Sequence, residues 1–197
     1  MGYSHSHCTA LTPTGHVILE RASRTFMSGE DDGPLVEYLD PITVDESLTT
    51  KERLQMIGFV EVWASDDRIC FSVPKNLTNG NVELTVRFPF GPQANEGARK
   101  NLTEATVWTI IGRREEHMSI FMPVEGVGKN GAWLVMENGN EVSPTLTDGV
   151  VSAQFDRLLT GLSEKGITTP VSEDTTIFHN GNVLLMRYGE VDTSTIQ

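Results

Sequence analysis

The chain has 197 residues, with 15 Lys and Arg against 27 Asp and Glu, and a formal net charge of −12. Such an acidic balance argues against direct general nucleic-acid binding, which needs clustered Lys and Arg on phosphates. No apolar run approaches the length of a membrane-spanning helix, and the chain is long enough to bury a core without a disulfide or metal staple.

The charge is uneven. Residues 1–67 hold 4 basic against 12 acidic residues, residues 68–130 hold 8 against 6, and residues 131–197 hold 3 against 9. Only the middle third could offer a basic face to an acidic partner or a lipid headgroup, and its candidates are Arg87, Arg99, Lys100, Arg113 and Arg114. The two cysteines, Cys8 and Cys70, read as free thiols of a reducing compartment. No basic stretch followed by an apolar one opens the chain, so the expectation is an intracellular protein, neither secreted nor transmembrane.

In chain order, residues 1–15 are rich in Ser, His and Thr and read as a mobile arm, with a short strand at residues 16–19. Residues 28–34, dominated by Gly and acids, read as an exposed loop. The division expected is an acidic, mostly flexible arm over 1–41, one globular domain over 42–190 and a polar tail over 191–197. Thr43 with Glu46 has capping-box spacing and opens a short helix. Residues 57–63 and 68–73, separated by Ser65, Asp66 and Asp67, read as a β-hairpin. Asn79 and Gly80 form a turn before a strand over 81–88. There Val82, Leu84, Val86 and Phe88 face a core, and Asn81, Glu83, Thr85 and Arg87 face water.

Residues 89–100 read as a loop. Asn101 with Glu104 again has capping-box spacing, and Leu102, Ala105, Trp108 and Ile111 follow at helical intervals. Residues 118–124 suit a buried strand, and residues 132–137 and 140–142 a hairpin around Asn138 and Gly139. Val151, Phe155, Leu158, Leu159 and Leu162 define an amphipathic helix over about 149–164. Residues 175–179 and 182–188 form a last hairpin around Asn180 and Gly181. These elements make an α+β fold: a mainly antiparallel sheet with two or three packed helices.

Few residues group into recognisable chemistry. His5, His7, Cys8 and His16 lack the paired spacing of a closed zinc site, so neither a metal nor another cofactor is expected. Gly2 with Ser6 has the outline of an N-myristoylation signal, and Cys8 could take a second lipid; Tyr3 beside the acceptor glycine departs from that signal. Residues 125–130 share Gly and Lys with the end of a phosphate-binding loop but lack its first glycine and its Ser or Thr, and read as a hairpin turn. Trp63, Trp108 and Trp133 each sit in an apolar element and read as core.

Two resemblances give functional expectations. His7 with Thr9 and His117 with Ser119 make two H-x-[ST] triplets, which resembles the paired motif of the 2H phosphoesterases. That implies two histidines as acid and base and hydroxyls holding a phosphate. The order of the strand 81–88, the helix 101–111, the strand 118–124, the helix 151–162 and the hairpin 175–188 resembles the matrix proteins of rhabdoviruses and related negative-strand RNA viruses. The arm here is acidic where that family's is usually basic. The matrix resemblance implies a non-enzymatic structural protein of the virion or cytoplasm, which self-associates as a homo-oligomer and bridges a nucleocapsid and a peripheral membrane surface. A capsid or other assembly protein without membrane contact is the neighbouring expectation.

Overall fold

The structure, a computed structural model, describes residues 8–28, 48–112, 120–139, 150–164, 166–167, 169, 171, 176–179 and 182–191. Five strands form one antiparallel sheet: β1 (Val60–Ala64), β2 (Arg68–Ser72), β3 (Leu84–Pro89), β4 (Val124–Val127) and β5 (Leu134–Glu137), in the order β1-β2-β3-β5-β4. Among the described residues four α-helices accompany them: α1 (Pro13–Ser28), α2 (Thr50–Met56), α3 (Ala94–Val107) and α4 (Val150–Glu164). A two-stranded ribbon, β6 (Thr176–His179) with β7 (Asn182–Leu185), completes the α+β architecture.

The sheet separates two apolar cores, because successive residues of a strand point to opposite faces. Ile69 and Phe71 of β2, Leu84, Val86 and Phe88 of β3, and Val135 of β5 meet Ile18, Leu19 and Ala22 of α1 and Leu54 of α2. Leu134 and Met136 of β5 and Val124 and Val127 of β4 meet Ala105 and Val107 of α3, Leu158 and Leu162 of α4, and Val183 and Leu185 of β7. Both faces of β3 are therefore covered, and all six of its residues are buried. The expectation of a wet face at Thr85 and Arg87 fails for this reason: α3 lies over them.

The hairpin of β1 and β2, the helix over 149–164 and the last hairpin form as the sequence pattern predicts. Residues 125–130 run from β4 into a 3-10 turn, Lys129–Gly131, in which Asn130 is left-handed (φ 56°) before β5. β5 pairs with β4; residues 140–142, expected to pair with it in a hairpin, lie outside the described residues. The capping box used by α2 is Thr49 with Glu52: the Thr49 backbone amide donates to the Glu52 carboxylate at 2.8 Å, and the Glu52 amide donates to the Thr49 hydroxyl. Thr43 and Glu46 lie outside the described residues.

The N-terminal segment differs most from expectation. Residues 16–19 belong to α1, a helix, and not to a strand. The Thr12 hydroxyl accepts the Gly15 amide hydrogen at 3.1 Å, and Pro13 follows in the first helical position, a common helix start. The preceding residues are tied down rather than loose. The Thr12 amide donates to the Leu77 carbonyl (3.0 Å), and the Asn79 side-chain amide donates to the carbonyls of Thr9 (3.0 Å) and Leu11 (2.8 Å). Cys8 and Leu11 are buried. Residues 8–28 are thus an integral layer of the fold, because Ile18, Leu19, Ala22 and Phe26 form one helical stripe facing the sheet.

This placement gives a direct test. Leu19 is fully buried beneath α1, so Leu19→Ala is expected to lower the unfolding free energy by about 2–5 kcal/mol. Urea unfolding followed by circular dichroism measures it; an unchanged midpoint would mean that α1 contributes nothing to the cooperative core.

Candidate functional site

The most unusual chemistry lies between α3 and the sheet. Glu104, in the middle of α3, is completely buried. Its carboxylate accepts from the guanidinium of Arg87 on β3 at 2.6 Å and from that of Arg68 on β2 at 3.0 Å. It also accepts the backbone amide hydrogen of Gly189, beyond β7, at 3.1 Å. Asn101, one helical turn earlier, donates to the Gly131 carbonyl at 2.9 Å and accepts from Arg68 at 3.4 Å. Asn101 and Glu104 therefore sit at helical spacing for a purpose other than a cap: they face inward and join four segments of chain. Tyr188 closes the inner side, donating its hydroxyl to the Met122 carbonyl at 2.8 Å. Burial and the Glu104 charge hold the Tyr188 phenol well above its ordinary value.

Close backbone approach makes this geometry possible. A Cβ on Gly97 would lie 2.0 Å from the Asp67 carbonyl oxygen, and one on Gly131 would lie 2.1 Å from that of Ala98. Gly131 also has φ +76°, a conformation that favours glycine. Any side chain at either position would push α3 off the arginines.

Trp63 covers the outer end of the cluster. β1 carries a β-bulge: Glu61 opposes Phe71, yet Trp63 opposes Cys70, so the regular alternation breaks at Val62. Glu61 consequently faces the α2 side, where it pairs with Lys51, while Trp63 is re-aimed onto the α3 side. There the guanidinium carbons of Arg187, Arg87 and Arg68 lie 4.1, 5.7 and 5.9 Å from the centre of its ring. Cys70 lies at the base of the cluster; burial raises its thiol pKa against the opposing pull of the Arg87, Arg68 and Arg187 charges.

The sequence-predicted basic face is reorganised by this arrangement. Arg87 is 1% exposed and belongs to the core, so it presents no charge to a partner. Arg99 is exposed and paired with Glu96 on its own helix. Lys100 bridges Asp67 and Glu190, at 3.0 Å from each. Arg113 and Arg114 lie outside the described residues, as do Gly2, His5, His7 and His117. Cys8 packs against Gly126. Burial pushes its thiol up to about 11, against the Ala10 amide, which makes it a poor lipid acceptor or metal ligand. His16 meets Trp133 edge-on at 5.2 Å, and the Trp133 indole donates to Glu20 at 2.8 Å.

Among the described residues, no group of three or more His, Cys, Asp or Glu side chains is placed to hold a metal. An open depression of about 370 Å³ beside the end of α4 is lined, among the described residues, by Leu159, Leu162, Ile167 and Val171 with two hydroxyls and a glycine and by no charged side chain. No helix of the described residues is long and apolar enough to cross a membrane. No protein-family model matches the chain, and no curated protein matches it.

Two measurements probe the cluster. Glu104→Ala leaves two buried cations without their carboxylate and is expected to cost about 3–5 kcal/mol, read from urea unfolding. Loss of less than 1 kcal/mol would show that the cluster behaves as a surface pair. The second measurement concerns Asp67. Burial alone would raise its carboxyl pKa, but hydrogen bonds from Ser65 and Lys100 and the Arg68 charge hold it below the ordinary 3.8. Lys100 is held above its ordinary 10.5: burial opposes its charge, and the Asp67 and Glu190 carboxylates outweigh that. The lowered Asp67 pKa stabilises the fold above pH 3.8, an effect lost as pH falls through the folded-state value. Asp67→Asn should therefore be less stable than the parent by about 1–2 kcal/mol at neutral pH. The gap should close in acid below pH 3.8. A gap independent of pH would exclude the ionic contribution.

Proposed function

We propose that this chain works by association and has no catalytic centre, and that it self-associates through the β1 edge of its sheet. One observation supports this reading above the others. β1 ends the sheet order, no described strand pairs with its outer side, and its Val60 and Val62 are 64% and 48% exposed. An edge strand ordinarily discourages pairing with a Lys, a Pro or a cover; among the described residues, β1 has none of these on its outward valines, although its bulge limits how long a partner strand can run. Pairing of two β1 edges would be isologous, as most homodimer contacts are.

The narrower role implied by the matrix resemblance, bridging a nucleocapsid and a membrane, is a specific form of the same proposal. It loses Arg87 from its basic face, and Arg99 and Lys100 each have an acidic neighbour, so Arg113 and Arg114 are its remaining cations. The phosphoesterase reading needs His7 and His117, and no described geometry supports it.

Val62→Lys is the test, because it puts a charge on the exposed edge without touching either core. Sedimentation velocity over a range of concentrations should show the parent chain as a reversible oligomer and the variant as a monomer with unchanged thermal stability. A parent chain that stays monomeric at the highest concentration would overturn the proposal.

A further inference from the structure

Residues 8–12 lead into α1 across the connection between β2 and β3, and one side chain fastens them there. The Asn79 carboxamide donates to the carbonyls of Thr9 (3.0 Å) and Leu11 (2.8 Å), so both of its hydrogens are in use. The Asn79 backbone amide adds a bond to the Ala10 carbonyl at 2.7 Å. Within this strap Cys8 and Leu11 are 2% and 4% exposed. The anchor works only as an amide. Its side-chain partners are carbonyl oxygens, to which an ionised carboxylate donates nothing.

The residue that follows makes this anchor chemically vulnerable. Gly80 is exposed, and a Cβ built on it would meet nothing within 4 Å. Among the described residues its backbone N–H has no hydrogen-bond partner. An unhindered and unbonded N–H beside an Asn carboxamide is the nucleophile that imide formation requires, and glycine turns most freely towards it. The same dipeptide at Asn130 and Gly131 is closed to this reaction. The Gly131 amide already donates to the Gly128 carbonyl at 3.0 Å, and Gly131 is buried against the Ala98 carbonyl.

We propose that Asn79 is a site of spontaneous deamidation, and that its conversion to aspartate or isoaspartate unfastens residues 8–12 from the connection between β2 and β3. The Gly80 nitrogen attacks the side-chain carbonyl carbon of Asn79. A new C–N bond closes a cyclic imide, the bond from that carbon to the amide nitrogen breaks, and ammonia leaves with the proton lost from Gly80. Water then opens the imide at either carbonyl, and no oxidant or reductant takes part. The two hydrogen bonds of the carboxamide restrain it, so each local opening of the strap gives the side chain its chance to close on Gly80. Once converted, the group faces the Thr9 and Leu11 carbonyls with a negative charge and without donors. Brief, reversible opening thereby becomes permanent release. The site is independent of the proposed self-association.

The test follows the full chain in neutral buffer over time, with a urea-unfolded sample alongside. Peptide mapping by mass spectrometry scores Asn79 and Asn130 for exchange of amide for acid. The expected result is conversion of both in urea, and of Asn79 but not Asn130 in the folded chain. Release is read in Asn79→Asp from the labelling of Cys8 by a thiol reagent, with Cys70 as the internal control for global unfolding, since both thiols are buried. Cys8 should label faster than in the parent by about tenfold or more, for two lost hydrogen bonds, and Cys70 should be unchanged. An Asn79 that stays an amide in the folded chain while it converts in urea would overturn the proposal. So would an unchanged Cys8 rate in Asn79→Asp, or an equal rise at both cysteines, which would mean that the whole fold loosens.

Discussion

A single buried carboxylate organises this molecule. Glu104 gathers Arg68, Arg87 and the Gly189 amide, so one side chain on α3 fixes that helix to two neighbouring strands and to the segment that follows the last hairpin. Apolar packing supplies most of the driving force on both faces of the sheet, but it is tolerant of small shifts in position. A two-cation, one-anion contact with hydrogen-bond geometry is not tolerant. It sets where α3 sits along the sheet. The close approaches at Gly97 and Gly131 let the helix come near enough for the contact to form.

The parts of this design that follow local rules were legible in the sequence. The hairpin of β1 and β2, the helix α4 and the ribbon of β6 and β7 each carry their own periodicity and turn residues. The parts set by tertiary contact were not. Residues 94–100 contain Asn, Gly and charges and look like a loop, yet they form the first half of α3, whose second half is held by Asn101 and Glu104. Arg87 alternates with apolar residues as a solvent-facing position would, and only the helix above it turns that position into core. Thr12 followed by Pro13 was the readable signal for α1, and the polar composition of the surrounding residues concealed it. The Trp63 cluster could not be read in advance, because alternation along β1 places Trp63 on the opposite face; only a break in register moves it.

The bulge in β1 has two structural effects. It shortens the stretch of β1 that another strand could follow, and it delivers the Trp63 ring that caps the arginines. Both features lie at the same end of the sheet, on an edge strand. At the opposite end, β4 and β5 contribute Val124, Val127, Leu134 and Met136 to the second core beside α3 and α4.

The reach of the Glu104 contact along the chain has a consequence for how the protein is made. Its partners are at positions 68, 87 and 189, and α1 is completed by Trp133, more than a hundred residues downstream of Glu20. Contacts so distant in sequence form slowly, since the intervening chain must close large loops first. On a ribosome, the β1–β2 hairpin and β3 would emerge with two arginines facing no carboxylate, and α3 would then emerge with a carboxylate still lacking the Gly189 amide. Neither core can close before the last third of the chain is available. The nascent protein would pass through a long interval with its central charges hydrated and its sheet faces bare, so a holding chaperone would have its greatest effect during synthesis.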